Sequence, residues 1–310
     1  MSSPIDIQSR ARRPNVAFGR ISWLTALRLG RVSNIPTVWT NVLAGIVLSG
    51  ATVTTRPTIL LLLSLSIFYV AGMFLNDAYD CDFDANSRPD RPIPAGEVAV
   101  ATVFVYGFAL LACGVGLLVA LTYPITAHTG WQAPVAGLFL AGVIVLYDGW
   151  HKQNPLSPLL MGLCRFLVYL TAGLAMTSEL SGQILAAAIV LLSYLIGLTY
   201  VAKQESLRQI KNLWPLLFLA VPFVYGLQFI TVGIVAVVLY VLLLTVVTAA
   251  LLFLLRPSEP DVPRAVMLLI AGISLLDGLF IAGQGQPTFA LAAIAAFLLT
   301  LFLQRFIAGT

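Results

Sequence analysis

Acidic side chains are concentrated near residue 80, in the stretch FLNDAYDCDFDANSRPDRPIPAGEV that begins at Phe74. Asn76, Asp80 and Asp84 recur at every fourth position, so they share one face if the helix continues through them, with Asp77 beside that face. Carboxylates this close repel one another at the edge of a membrane unless a cation neutralises them. Mg²⁺ prefers oxygen ligands and often binds carboxylates together with phosphate oxygens, so this pattern predicts a diphosphate site built through magnesium.

Two arginines follow the acidic face within the same loop. The guanidinium groups of Arg88 and Arg91 match phosphate oxygens in geometry and charge. Pro89, Pro92 and Pro94 stiffen this loop. The alternative interpretation is a solvated acidic loop that merely ends a helix at the membrane edge.

The composition indicates which elements must position these residues. Hydrophobic residues make up 59% of the 310 residues, charged residues make up 10%, and the mean hydropathy is +0.96. Soluble domains average about 45–50% apolar and about 25% charged residues. Apolar runs long enough to cross roughly 30 Å of hydrocarbon predict an all-α, polytopic transmembrane bundle of nine to ten helices. The predicted spans are residues 33–50, 58–78, 98–122, 132–148, 157–177, 182–201, 213–230, 232–254, 264–283 and 288–304.

The positive charges predict an orientation for this bundle. With the N-terminus in the cytoplasm, all 17 Lys and Arg residues except Arg56 and Arg165 fall in inside segments, as the positive-inside rule requires. The loops that carry the acidic residues are then cytoplasmic. The net charge is +4, but the basic residues form no stripe of the kind that binds nucleic acid, so we expect the lipid bilayer as the partner.

A single domain is expected. Residues 1–31 are basic and lack the uninterrupted apolar core of a signal peptide, so they are predicted to be a cytoplasmic N-terminal arm. Residues 32–310 are predicted to be one transmembrane domain. The three cysteines are widely spaced and form no CxxC motif, which indicates neither a disulfide framework nor a zinc site.

Two charges fall in the interior of predicted spans, away from the span ends. Arg165 lies about two turns into the fifth span, and Asp277 lies in a later span. Such charges are costly in hydrocarbon unless they are paired or face a cavity. Asp148 or a bound diphosphate could pair with Arg165, and a purely structural ion pair explains it equally well. Asp277 has no evident connection to the acidic loop, and helix packing or an acceptor pocket is its expected role.

The motif NDxxDxxxD followed by RPxRPIPxG resembles the first signature of the UbiA superfamily of intramembrane prenyltransferases, and LRLGRVSNIPTVWTNVLAG resembles the opening helix of that family. The resemblance implies Mg²⁺ as cofactor, a prenyl diphosphate as donor, and a small hydrophobic or aromatic molecule as acceptor. It also implies roles by matching position. Asn76, Asp80 and Asp84 would hold the metal and the diphosphate, with support from Asp77 and Arg91.

The connection VLYDGWHKQNPLSP places Tyr147, Asp148, His151 and Lys152 at the same face as the acidic loop. A tyrosine and a lysine at this point help to hold diphosphate in the UbiA family, so the resemblance implies that role for Tyr147 and Lys152. The two residues are farther apart than is common in the family, which leaves a simple interface lysine as the alternative. Many family members also carry an arginine near Arg165, which implies a substrate-binding role for it.

The second signature of the family is altered in this chain. UbiA enzymes usually present a DxxxD motif between the sixth and seventh helices, whereas this region reads GLTYVAKQESLRQIKN. Tyr200 matches the family's tyrosine and is expected to bind substrate, but Gln204 and Arg208 stand where aspartates are expected. In this altered signature, Lys203 is expected to bind substrate as a cation. Glu205 is expected to take the catalytic role of the missing carboxylates. The altered motif, with YDGWHKQNP and NLWPLLFLA, is similar to the EboC-type branch of the superfamily.

The two signatures support functions of different classes. The leading interpretation is Mg²⁺-dependent transfer of a prenyl group from a prenyl diphosphate to an acceptor, often aromatic, within the membrane. The alternative is a non-catalytic prenyl-diphosphate or lipid binder that kept the first motif and lost the second. A secondary transporter built on the intramembrane charges is a third interpretation, which the lack of an inverted repeat disfavours. The catalytic residues of the leading interpretation are Asp80, Asp84, Lys152 and Glu205.

Overall fold

The computed structural model describes residues 19–122, 130–152, 154–207, 213–256 and 260–309, without the side chains of residues 204–207. Within these ranges the chain forms helices and turns but no strand, which confirms the predicted all-α architecture. The α-helices are α1 (Trp23–Leu29), α2 (Ile35–Leu48), α3 (Thr55–Tyr79), α4 (Cys81–Ser87), α5 (Val100–Thr122), α6 (Gln132–Trp150), α7 (Ser157–Leu174), α8 (Gly182–Leu207), α9 (Val221–Gly226), α10 (Ile234–Leu254), α11 (Val262–Gly283) and α12 (Pro287–Leu303).

Among the described helices, seven are long and apolar enough to cross a membrane: α3, α5, α6, α7, α8, α10 and α11. Three shorter apolar helical segments, Val32–Leu48, Trp214–Phe229 and Pro287–Leu303, account for the other predicted spans. Many outward-facing side chains are large and apolar, among them Leu63 and Phe139. A helix satisfies its own backbone hydrogen bonds, which is the condition for crossing hydrocarbon. The chain is therefore an integral membrane protein.

The predicted span at residues 213–230 is not one continuous α-helix. It consists of a 3₁₀ segment at Trp214–Ala220, then α9, then a 3₁₀ turn at Leu227–Phe229. Pro215 and Pro222 each lie at the start of one of these pieces. Because proline has no N–H to donate, each proline interrupts the regular hydrogen bonding of a helix interior.

Close packing of α2 against α7 brings together the helices that carry the intramembrane polar residues. A Cβ atom at Gly45 would lie 2.8 Å from the carbonyl oxygen of Tyr169 and 2.8 Å from the Cβ of Ala172, so only glycine permits this approach. The largest core group lies between α8, α10 and α11, with Tyr194 and Leu276 fully buried. A second group lies between α3, α5 and α6.

Candidate functional site

A cavity of about 890 Å³ lies between α3, α6, α7 and α8. At one end it is lined by polar side chains from the ends of the helices, including Asn76 and Asp80. Its other lining residues on α3 and α6 include Leu65, Phe68 and Leu140, which are apolar. Leu65 precedes Asn76 by 11 residues on α3, which corresponds to about 16 Å along a helix. The cavity thus joins a charged end to a long apolar pocket.

The backbone stays helical through the acidic positions Asn76, Asp80 and Asp84. α3 ends at Tyr79, but the backbone N–H of Asp80 donates to the carbonyl oxygen of Asn76 at 2.9 Å, and that of Asp84 donates to Asp80 at 2.9 Å. Helical hydrogen bonding therefore continues into α4 and keeps the three side chains on one side. All three are buried. Asn76 and Asp80 line the cavity, whereas Asp84 is not among its lining residues.

Arginines compensate the carboxylates that lie outside the cavity. Arg91 Nη1 lies 2.7 Å from Asp84 Oδ2 and 3.2 Å from Asp77 Oδ1. Arg31 Nη2 donates to Asp77 Oδ1 at 2.8 Å. In the sequence Arg31 counts only among the predicted cytoplasmic charges, although it lies within the stretch LRLGRVSNIPTVWTNVLAG that resembles the opening helix of the family. Its backbone has φ +42°, a left-handed conformation that is strained for a residue other than glycine.

The end of α6 supplies positive charge to Asp80. Lys152 Nζ lies 2.9 Å from Asp80 Oδ2, and His151 Nε2 lies 3.3 Å from the same oxygen. Lys152 also lies 3.7 Å from the centroid of the Phe83 ring, and Tyr147 stacks on His151. Burial raises the pKa of the Asp80 carboxyl, but the hydrogen bonds and charges of His151 and Lys152 outweigh it and lower the pKa below its ordinary value. Asp80 is therefore ionised at neutral pH.

Asp148 belongs to the charged end, although sequence reasoning did not select it as a site residue. Its Oδ1 accepts from Asn76 Nδ2 at 3.2 Å, and it lines the cavity. The buried oxygens Asp148 Oδ2 and Asp84 Oδ1 have no hydrogen-bond partner in the described part of the chain. No three His, Cys, Asp or Glu side chains of the described residues form a cluster that could hold a metal ion. The donors at this end are carboxylate and amide oxygens, the type that Mg²⁺ prefers, and an ion bound by one or two of them takes its other ligands from phosphate and water.

The altered second signature is only partly described. Lys203 lines the cavity and donates through Nζ to the carbonyl oxygen of Asn154 at 2.8 Å. Tyr200 is half-buried on α8 and is not among the cavity-lining residues. The side chains of Gln204 and Glu205, and all of Arg208, lie outside the described residues. Arg88 and Arg91 of the first loop both line the cavity.

The intramembrane arginine points into the cavity from α7. Arg165 Nη1 donates to Asn41 Oδ1 at 2.6 Å, and Nη2 donates to Thr37 Oγ1 at 3.0 Å. Its guanidinium carbon lies 5.5 Å from the centroid of the Tyr69 ring, and both residues line the cavity. Asp148, one of the partners considered from sequence, accepts from Asn76 instead.

Asp277 joins the same polar group from the other side. Its Oδ2 accepts from Asn41 Nδ2 at 2.7 Å and from Thr40 Oγ1 at 2.5 Å, and its Oδ1 accepts from the Tyr169 hydroxyl at 2.5 Å. The carboxylate is fully buried. Asp277 is thus linked to Arg165 through one intervening side chain, a connection that the sequence did not reveal.

Comparison with known proteins gives a consistent result. Residues 37–262 match the model of the UbiA prenyltransferase family. A digeranylgeranylglyceryl phosphate synthase of Methanoculleus marisnigri is 31% identical over 140 residues, which cover 40% of this chain and 50% of that protein. A 4-hydroxybenzoate octaprenyltransferase of Idiomarina loihiensis is 28% identical over 130 residues, which cover 41% of this chain and 42% of that protein. The chain thus spans half or less of the length of these curated relatives.

Solved structures share the fold. A UbiA homologue from Archaeoglobus fulgidus, bound to GPP and Mg²⁺, matches with a TM-score of 0.56 at 16% identity, covering 87% of this chain and 99% of that one. A UbiA homologue from Aeropyrum pernix K1 matches with a TM-score of 0.57 at 17% identity, covering 86% and 96%. At this level of identity the likeness establishes the helical architecture.

Proposed function

Because the chain belongs to the UbiA prenyltransferase family, we propose that it transfers a prenyl group from a prenyl diphosphate to an acceptor within the membrane, in a Mg²⁺-dependent reaction. The observation that carries this proposal is the cavity, which joins a charged end at Asn76 and Asp80 to an apolar pocket at Leu65 and Phe68. A molecule with a diphosphate head and an isoprenoid tail has the same division into charged and apolar parts.

The charged end offers two kinds of contact to a diphosphate. Asn76 and Asp80 present oxygen atoms at the cavity wall and would hold Mg²⁺, which when bound neutralises the diphosphate and stabilises it as a leaving group. Arg88, Lys152 and Lys203 line the same cavity and would donate directly to phosphate oxygens. Protein cations can carry part of the charge stabilisation that a leaving group needs.

The reaction that fits this arrangement is substitution at C1 of the prenyl group. The bond between C1 and the diphosphate oxygen breaks, and its electron pair leaves with the diphosphate. The acceptor's nucleophilic atom bonds to C1 and loses a proton. The apolar part of the cavity, between α3 and α6, excludes water from the allylic cation.

The second candidate function is binding of prenyl diphosphate without turnover. It is favoured by Lys203, which donates to a backbone carbonyl and stands in the region where the resemblance to the family implies a DxxxD motif. A cation at this place weakens the binding of a second Mg²⁺. Glu205 is proposed as the catalytic carboxylate on this side. If the protein is a transferase, Glu205→Ala should lower turnover and leave donor affinity unchanged. If the protein only binds the donor, there is no turnover for Glu205→Ala to lower.

We further propose that the charged end faces the cytoplasm, together with the arm at residues 1–31, because the inside segments hold almost all positive charges. Cys81 is partly exposed at the start of α4. A membrane-impermeant maleimide should label Cys81 in inverted vesicles and leave it unlabelled in intact cells. Labelling in intact cells would reverse the orientation.

The donor site is tested by binding of geranyl diphosphate to purified protein with and without Mg²⁺. Asp80→Asn should weaken Mg²⁺-dependent binding at least about tenfold, since even residues that only support metal ligands contribute about 10–100-fold. Asp82→Asn is the matched control, because Asp82 is an exposed carboxylate two positions away. Unchanged affinity in Asp80→Asn would refute the metal assignment. If the protein binds geranyl diphosphate with Mg²⁺ but releases no diphosphate at any concentration of a broad lipid extract, both prenyl transfer and a catalytic role of Glu205 are refuted.

A further inference from the structure

Buried polar side chains connect α11 to the wall of the cavity. Asp277 on α11 accepts from Asn41 Nδ2 at 2.7 Å, and Asn41 Oδ1 accepts from Arg165 Nη1 at 2.6 Å. Asp277 and Asn41 are completely buried, and Arg165 is 9% exposed. Of these three residues only Arg165 lines the cavity. The network therefore ends in a cation that faces the space where ligands bind.

The charge of Arg165 is only partly compensated. Its described hydrogen bonds, to Asn41 and Thr37, engage two N–H groups, whereas a guanidinium has five. Both partners are neutral, and the nearest carboxylate of the network, Asp277, lies beyond Asn41. A cation at membrane depth is costly unless it is paired or faces a polar ligand. An anionic ligand group in the cavity would complete the pairing.

The position of Arg165 separates it from the diphosphate end. Its guanidinium lies beside the Tyr69 ring, at 5.5 Å from the centroid. Tyr69 precedes Asn76 by seven residues on α3, which corresponds to about 10 Å along the helix. Arg165 therefore faces the cavity beside a residue that lies about two helical turns from Asn76 and farther from Asp80. This offset leaves a place beside Arg165 for an anionic group of the second substrate.

We propose that Arg165 recognises an anionic group of the acceptor, either a carboxylate or a phosphate, and that Asp277 is a positioning residue that acts on Arg165 through Asn41. This inference rests on the proposed function, because it assigns the other end of the cavity to the donor. The amide of Asn41 has a donor at one end and an acceptor at the other. By accepting from Nδ2, Asp277 turns Oδ1 towards Arg165, while Thr40 and Tyr169 hold the carboxylate itself.

The acceptor assignment is tested with two pairs of small probes that differ in charge. Titration calorimetry would measure binding of 4-hydroxybenzoate against 4-hydroxybenzamide, and of 4-hydroxyphenyl phosphate against hydroquinone. The full chain would be loaded with Mg²⁺ and an unreactive thiolo analogue of geranyl diphosphate. In at least one pair the anion should bind about tenfold more tightly, as charge-assisted hydrogen bonds imply, and Arg165→Met should remove that preference. Equal affinities in both pairs, or a preference that survives Arg165→Met, would overturn the assignment.

The positioning role has its own readout, the ratio of anion to neutral affinity. Asp277→Asn and Tyr169→Phe should lower this ratio, because each disturbs the carboxylate that orients Asn41. Tyr194→Phe is the matched control: its hydroxyl is equally buried and donates to the Leu269 carbonyl on α11 at 2.8 Å, outside the network. If Asp277→Asn does not fold, Tyr169→Phe still decides the matter. If a variant weakens the binding of the anion and of the neutral probe equally, its residue has a merely structural role. The same conclusion follows if Tyr194→Phe lowers the ratio as much as Asp277→Asn or Tyr169→Phe does.

Donor binding separates the failure of this inference from the failure of the proposed function. Binding of the thiolo analogue with Mg²⁺ is measured first and should be weakened at least about tenfold by Asp80→Asn. Donor binding without any anion preference overturns only the role of Arg165. Absence of donor binding by the unmodified chain overturns the proposed function and this inference with it.

Discussion

Replacement of Arg91 tests whether buried ion pairs maintain the acidic face. Arg91 Nη1 lies 2.7 Å from Asp84 Oδ2, and the side chains of Arg91 and Asp84 are 13% and 2% exposed. Arg91→Leu removes the cation and leaves the Asp84 carboxylate without compensation, since its Oδ1 has no hydrogen-bond partner among the described residues. Asp77 is affected less, because Arg31 remains 2.8 Å away. The cost should therefore arise mainly at Asp84.

The expected magnitude follows from burial. Removing one partner of a buried ion pair costs about 3–5 kcal/mol, so Arg91→Leu should lower the free energy of unfolding by about 3 kcal/mol or more. Arg264→Leu is the control. Arg264 pairs with Asp261 at 3.1 Å, but its side chain is 64% exposed, and exposed pairs contribute about 0–1 kcal/mol.

A double-mutant cycle distinguishes charge from packing. Adding Asp84→Asn to Arg91→Leu removes the uncompensated charge and should recover at least about 1 kcal/mol. The free energy of unfolding is measured by denaturant titration in detergent micelles, followed by tryptophan fluorescence. It is measured for the unmodified chain, Arg91→Leu, Asp84→Asn, the double variant and the Arg264→Leu control. A cost for Arg91→Leu no larger than that of Arg264→Leu, or no recovery from Asp84→Asn, would refute the reasoning.

Three further predictions concern packing, backbone and the charged end. Gly45→Ala should lower the free energy of unfolding by about 1–3 kcal/mol, because the new Cβ would lie 2.8 Å from atoms of α7. Gly142→Ala is the control in the same unfolding assay. Its Cβ would have no atom within 4 Å, so this variant should be neutral or stabilising. Arg31→Gly should be about 1 kcal/mol more stable than Arg31→Ala, because only glycine adopts φ +42° without strain. Phe83→Ala removes the ring under Lys152 and should weaken geranyl diphosphate binding a few-fold. This magnitude corresponds to about 0.5–1 kcal/mol for an exposed cation–π contact. An unchanged affinity would contradict the prediction.

Local patterns predicted the helices well, and they placed the acidic residues on successive turns of one helical segment. The thickness of the hydrocarbon sets the length of a spanning helix, and every backbone group must be satisfied within it, so apolar runs of sufficient length mark spans directly. Residues 213–230 are the exception, because they do not form one continuous α-helix. They contain Pro215 and Pro222, whose effect on hydrogen bonding is also local. Asn76, Asp80 and Asp84 fell on one side because a helix places every fourth residue on the same face.

Contacts between distant segments could not be predicted in this way. Arg31 and Asp77 are 46 residues apart, and Asn41 and Asp277 are 236 apart. Helical periodicity reports which residues share a face of one helix, but it carries no information about which faces of two helices meet. Asp277 therefore remained unconnected in the sequence, although it lies one side chain from Arg165 in the fold.

The amino-acid sequence alone indicates a helical membrane bundle with an acidic signature of the diphosphate-binding type at one end, because bilayer thickness and helix periodicity act within single segments. Tertiary structure decided which cations compensate each carboxylate, that Asp84 turns to Arg91 while Asp80 faces the cavity, and that Arg165 reaches the same cavity deeper in the bundle. Those outcomes depend on how α2, α3, α6, α7 and α11 pack, and packing is a property of the whole set of helices rather than of any one of them.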